Sequence, residues 1–235
     1  MRFEDLINIY EKNRAIYGDK VSLHISEILN EAKILHKKDW SKSPTPGRDH
    51  EQSWRAFKGK NLEKLIQYII KEEVENIGLK IVEGNTLEIT NSKNLSLELN
   101  RIKRNLLIDY GEFGSHLPDV DIIIYNPSNL EIIAVISSKV TLRERIAQTG
   151  YWKIKLNQDK ITKDIKVFFI TPDEDKTLSI RNPAKKGRAI VEIDIDGSYI
   201  MSEEKIEESE KVKSFDKFIQ DLVNLLKKKE YEQEI

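Results

Sequence analysis

Apolar residues return every three or four positions from Phe3 to about Ile16 (Phe3, Leu6, Ile7, Tyr10) and again from Ser22 to about His36 (Ile25, Ile28, Leu29, Ala32, Leu35). That spacing gathers them on one side of a 3.6-residue turn, so it predicts two amphipathic helices. Between Ser41 and Asp49 the period stops, and two prolines and a glycine stand among polar residues. Such chemistry disfavours helix and strand alike and marks a loop and a soft boundary. The chain therefore divides into a helical appendage over 1–48 and a main domain over 49–235.

The main domain opens with a third helical pattern from about Ser53 to Ile77, which Gly78 closes. Leu79–Val82 and Leu87–Thr90 look like a short β pair around Gly84-Asn85, followed by a helix from about Asn94 to Arg104. Three β-rich runs come next, Leu106–Tyr110, Val120–Tyr125 and Leu130–Ser137, separated by turn residues that suit an antiparallel meander. Helical spacing resumes after Lys139 and gives way to strands at Lys166–Ile170 and Ala189–Ile195. A stripe of Phe215, Phe218, Ile219, Leu222, Leu225 and Leu226 then marks a C-terminal helix. The expected class is α/β, a central mixed sheet flanked by helices, with no internal repeat.

Composition narrows the chemistry. The 235 residues include no cysteine, which removes disulfide frameworks, zinc ribbons, iron–sulfur clusters and thiol nucleophiles and suits a reducing compartment, so a cytoplasmic location is expected. The first residues carry charges in every turn and offer no apolar h-region, and the longest apolar runs are strand-length, so neither a signal peptide nor a membrane span is expected. Lys and Arg number 39 against 40 Asp and Glu, a net charge of −1, so any nucleic-acid partner would need a local basic surface.

The informative stretch is Pro118-Asp119-Val120-Asp121 leading into Ile122–Tyr125, a turn, then Ile133-Ala-Val-Ile-Ser-Ser-Lys139. In antiparallel neighbours joined by a short turn, the start of the first strand lies beside the end of the second, so Asp119 and Lys139 should share one edge of the sheet. A carboxylate there can hold Mg²⁺, and a lysine can work on the attacking water of a phosphodiester hydrolysis. Asp121 has the same side-chain parity as Asp119 and could take its place.

On these residues the chain resembles the PD-(D/E)xK nuclease superfamily, with Ser137-Ser138-Lys139 standing where an acid-x-Lys half is usual. The S-x-K form is similar to the branch of type II restriction endonucleases that read CCGG or CCNGG sites. In that branch Arg-(Asp/Glu)-Arg follows the lysine, and here Arg143-Glu144-Arg145 follows Lys139 by four to six residues. Arginine can pair bidentately with guanine and glutamate can accept from cytosine, so the triplet could read G·C pairs. From Lys139 to Lys166 eight basic residues (139, 143, 145, 153, 155, 160, 163, 166) face three acidic ones (144, 159, 164), and this local excess, Lys153 included, would meet DNA phosphates.

The resemblance, strongest over Trp54–Pro172, implies Mg²⁺ as cofactor, double-stranded DNA as substrate, a homodimer on a palindrome and a partner DNA methyltransferase. It implies catalytic roles for Asp119 and Lys139, with Ser137 tuning the site. It also leaves a gap, because the branch's downstream glutamate falls on Trp152. Glu63 is the candidate for the third acid, with Glu72, Glu73 and Glu112 as competitors. The four histidines are too dispersed for a motif. A DNA-repair or mobile-element nuclease, or a catalytically silent DNA-binding protein, are the other readings this fold allows.

Overall fold

The computed structural model describes residues 1–44, 47, 49–140 and 143–233, apart from the side chains of 143, 144, 230, 232 and 233. Helices α1 (Phe3–Tyr17) and α2 (Ile25–Lys42) form where the apolar period places them, joined by a 3₁₀ segment over Gly18–His24. The long helix α3 (His50–Asn76) is capped by Asp49, whose side chain accepts the Gln52 N–H at 2.8 Å. Gly78, at φ +82°, turns the chain out of the helix into β1 (Lys80–Glu83).

Next come α4 (Gly84–Ile89), α5 (Leu97–Leu106), β2 (Ile108–Asp109), β3 (Ser115–His116), β4 (Ile122–Tyr125), β5 (Ile132–Ser138) and α6 (Arg143–Leu156). The chain closes with β6 (Lys166–Thr171), α7 (Lys186–Asp194), β7 (Gly197–Ile200), β8 (Val212–Ser214) and α8 (Phe218–Gln233). Six strands form one mixed sheet in the order β1-β4-β5-β6-β7-β8. Pairing is antiparallel from β1 through β5 and parallel from β5 through β8.

Helices cover both faces. One core joins α1, α2, α3 and α8 to the sheet face bearing Ile122, Ile124, Ile136 and Phe168, so the first forty residues share their core with the sheet. The other core gathers Leu87, Ile102, Ile146 and Val191 from α4 to α7 against Ile123, Val135, Val167 and Phe169. Strand alternation decides which residue goes where, and both faces are apolar because both are covered. Among the described residues no helix is long and apolar enough to cross a membrane.

Three sequence expectations are corrected. Leu87–Thr90 is not a strand: Leu87, Glu88 and Ile89 end α4 and Thr90 caps it, with Leu87 fully buried. Gly84 abuts the Val120 and Asp121 backbone, and the chain turns into a helix there rather than running on beside β1. Ala189–Ile195 lies largely in α7, where the buried positions 187, 188 and 191 keep helical spacing. Arg188, fully buried, donates to the Leu178 and Glu207 carbonyls and pairs with Glu192 one turn on. The third correction is the meander: β2 pairs with β3 in a separate ribbon, and the outer neighbour of β4 is β1.

Candidate active site

The acid-bearing loop before β4 is held from two sides. The Asp121 N–H donates to the Ile136 carbonyl at 2.9 Å, and the Gly84 N–H donates to the Asp121 carbonyl at 2.9 Å. A Cβ on Gly84 would lie 1.8 Å from the Val120 carbonyl oxygen, so only glycine permits this approach. With Ile122 paired to Ile136, Asp121 falls opposite Ser137 at the sheet edge where β4 begins and β5 ends.

The Asp121 side chain is 8% exposed, and its Oδ2 accepts the Ser138 backbone N–H at 2.6 Å. Burial, followed by the negative field of Glu63, pushes its carboxyl up to about 6. Glu63, on the cleft side of α3, bonds the Lys139 ammonium at 2.9 Å. An open cleft of about 260 Å³ collects Glu63, Asp119, Asp121, Lys139 and Arg145, with Lys60, Lys64 and Gln67 from α3 and Glu83, Asn85 and Glu88 around α4. The Ser137 hydroxyl is buried and has no hydrogen-bond partner.

Arg145 crosses the mouth of this arrangement. Its Nη1 meets Asp119 Oδ2 at 2.5 Å, and its Nη2 reaches Asp119 Oδ1 and Asp121 Oδ1, each at 3.2 Å. Gln148, one turn along α6, accepts from Arg145 Nη1 at 3.1 Å and donates to Asp119 Oδ2 at 3.0 Å. Asp119 itself is half exposed. Oxygen donors and a lysine at a sheet edge are the groups a metal-assisted phosphodiester hydrolysis requires.

The BsaWI restriction endonuclease type 2 family model matches residues 98–221, from α5 into α8. A relative named as a type II restriction enzyme, MjaVIP of Methanocaldococcus jannaschii, is 36% identical over 233 residues, covering 97% of this chain and 96% of the relative. The chain belongs to the type II restriction endonucleases. A second relative so named, HpyAORF263P of Helicobacter pylori, is 39% identical over 57% of this chain and 67% of its own length. Among solved structures, the restriction endonuclease PspGI in complex with substrate DNA superposes with a TM-score of 0.55 at 14% identity. It covers 95% of this chain and 93% of that one, a likeness of fold.

In this restriction endonuclease the sequence candidates separate into groups. Glu63, Asp119, Asp121 and Lys139 converge on one cleft, and Ser137, opposite Asp121 in the strand register, is buried and does not line it. The competitors lie elsewhere: Glu72 and Glu73 border a groove beside Tyr10 and Arg14, and Glu112 sits exposed in the turn between β2 and β3. The side chains of Arg143 and Glu144 are outside the described residues. Lys153 is buried, donating to the Ile165 carbonyl at 3.0 Å and pairing with Asp196 at 2.8 Å, so its ammonium is engaged inside the fold rather than exposed as the sequence suggested. Lys166 also pairs with Asp196. Trp152, at the place of the branch's downstream acid, packs against the second core.

Sequence reasoning passed over Lys60, Lys64, Gln67, Glu83, Asn85, Glu88 and Gln148. Residues 60, 63, 64 and 67 repeat at helical spacing, so the polar stripe of α3 was readable beside Glu63. Gln148 carried no signal, because its partner Asp119 is 29 residues away in sequence.

Proposed function

We propose that the enzyme makes Mg²⁺-dependent double-strand cuts in DNA at a short G·C-containing palindrome of the CCGG or CCNGG kind. The observation that carries the reading is the meeting of Glu63, Asp121 and Lys139 from α3, the start of β4 and the end of β5 in one cleft. Glu63 and Asp121 offer oxygen ligands only, which suits a hard cation such as Mg²⁺. Bound there, the cation would polarise the scissile phosphate and lower the pKa of the attacking water.

Asp121, rather than Asp119, takes the principal metal-binding role in this reading. It is opposite Ser137, buried and oriented by the Ser138 N–H, and it faces Glu63, whereas Asp119 is half exposed and engaged by Arg145 and Gln148. Glu63 supplies the acid that Ser137 does not. Lys139, fixed by Glu63, orients the water and stabilises charge on the phosphate. Arg143, Glu144 and Arg145, at the start of α6, read base edges from the major groove. A palindromic site fits a homodimer, and a methyltransferase of the same specificity would protect the host's own sites.

The test is digestion of unmethylated plasmid and genomic DNA with Mg²⁺ or with EDTA, followed by sequencing of all ends. Discrete Mg²⁺-dependent fragments sharing one G·C-containing palindrome are expected. Cutting at junctions or without sequence preference would favour a repair or mobile-element nuclease, and binding without any nicking would leave a silent DNA-binding protein.

A further inference from the structure

Arg145 is asked to do two things that exclude each other. Its Nη1 and Nη2 form a fork on the two oxygens of Asp119, and Nη2 also reaches Asp121. A bidentate contact to guanine O6 and N7 needs a comparable pair of parallel N–H donors from the same guanidinium. While the fork is on the acids, it is not on a base.

The electrostatics point the same way. Glu63, Glu83, Glu88, Asp119 and Asp121 carry five formal negative charges in the cleft, against four positive ones from Lys60, Lys64, Lys139 and Arg145. With Arg145 in place the acids are nearly neutralised, and a divalent cation arriving beside the guanidinium meets a like charge. With Arg145 drawn away, five carboxylates face three lysines, and the attraction for a cation rises. Gln148 holds the closed arrangement by bonding both Arg145 and Asp119, and the Arg145 side chain is only 14% exposed.

We propose that Arg145 is a lock shared by the acid pair and the DNA, so that leaving Asp119 and Asp121 to read a base opens the metal site. Loading of the cation then waits for the correct sequence, and by reciprocity the cation strengthens binding to that sequence over others. This rests on the metal site and base-reading roles proposed above, and it adds the coupling between them. Asp119 becomes a positioning residue, the acid that receives the recognition arginine when no cognate base is present.

The experiment is Mn²⁺ binding to the full-length protein without DNA, read from the free-ion signal by electron paramagnetic resonance. It compares the wild-type chain with Arg145→Gln, Gln148→Ala, Glu63→Gln and Asp121→Asn, each checked for folding by circular dichroism. Arg145→Gln is expected to bind Mn²⁺ at least tenfold more tightly than wild type, and Gln148→Ala to fall between them. A non-hydrolysable duplex carrying the mapped site should tighten binding to wild type and leave Arg145→Gln unchanged. Mn²⁺ affinity in Arg145→Gln equal to or weaker than wild type would overturn the lock, provided Glu63→Gln and Asp121→Asn lose binding. Retained binding in both acid variants would overturn the metal site itself. Should Arg145→Gln not fold, Gln148→Ala decides the matter, since unchanged affinity there also overturns the lock.

Discussion

Asp121 accepts the backbone N–H of Ser138 at 2.6 Å, across the junction where one strand of the sheet starts and its neighbour ends. This bond anchors a carboxylate that is 8% exposed and that also faces Glu63, so its charge is held at a cost to the folded state. In the proposed reading, this cost is what the fold gives up to keep an acid for metal binding.

The pH dependence follows from that cost. In the unfolded chain an Asp ionises near 3.8, whereas folded Asp121 keeps its proton up to about 6, so the group's contribution to stability falls as pH rises from about 4 through 6. Asp121→Asn should therefore stabilise the protein in EDTA at pH 7.5 by roughly 1–3 kcal/mol. The gain should shrink on going to pH 5. Thermal melts of both proteins at the two pH values check this, and an Asn variant less stable at pH 7.5 than at pH 5, relative to wild type, would contradict it.

Gly84 controls where the acids sit. An added methyl would collide with the Val120 carbonyl and push on the Asp121 peptide that Gly84 hydrogen-bonds. Gly84→Ala should cost about 1–3 kcal/mol, the usual range for overpacking. Cleavage should fall by roughly a hundredfold, because a shift of about 1 Å at a reacting group is felt on that scale. Melting curves and initial rates on plasmid DNA give both numbers.

Lys153 separates a basic residue in sequence from a basic residue on the surface. Bonded to the Ile165 carbonyl and to Asp196, it ties α6 to the start of β6. Lys153→Ala should lower stability in urea by about 1–3 kcal/mol, less than a fully broken buried pair, because Lys166 still reaches Asp196. The salt dependence of DNA binding should keep its slope, which counts phosphate contacts. A slope reduced by about one would return Lys153 to the DNA surface.

What the sequence revealed and what it hid have physical causes. The amphipathic helices α1, α2, α3, α5 and α6 and the strands β4, β5 and β6 were legible, because burial of a face imposes a period that neighbours do not change. Residues 87–90 and 189–195 are short β-branched runs in which helix and strand cannot be told apart locally, and tertiary contact decided both for helix. The short strands β7 and β8 left no period long enough to read. At the site, the pairing of the Asp119-Val-Asp121 edge with Ser137-x-Lys139 was visible from strand logic, whereas Glu63 came only from the resemblance to the PD-(D/E)xK nucleases. The proposed preference for Asp121 over Asp119 was not visible, because the two have equal parity and the preference rests on register and on Arg145 and Gln148 arriving from α6.

The assignment of the metal-binding acids is best tested by single-turnover cleavage of the mapped site in Mg²⁺ by Asp121→Asn, Glu63→Gln and Asp119→Asn, with DNA binding measured alongside. Asp121→Asn and Glu63→Gln are expected to lose roughly a thousandfold or more in rate while still binding DNA, whereas Asp119→Asn should stay within about tenfold of wild type. Near-normal cleavage by Asp121→Asn together with loss in Asp119→Asn would contradict the assignment and place the metal at the other aspartate.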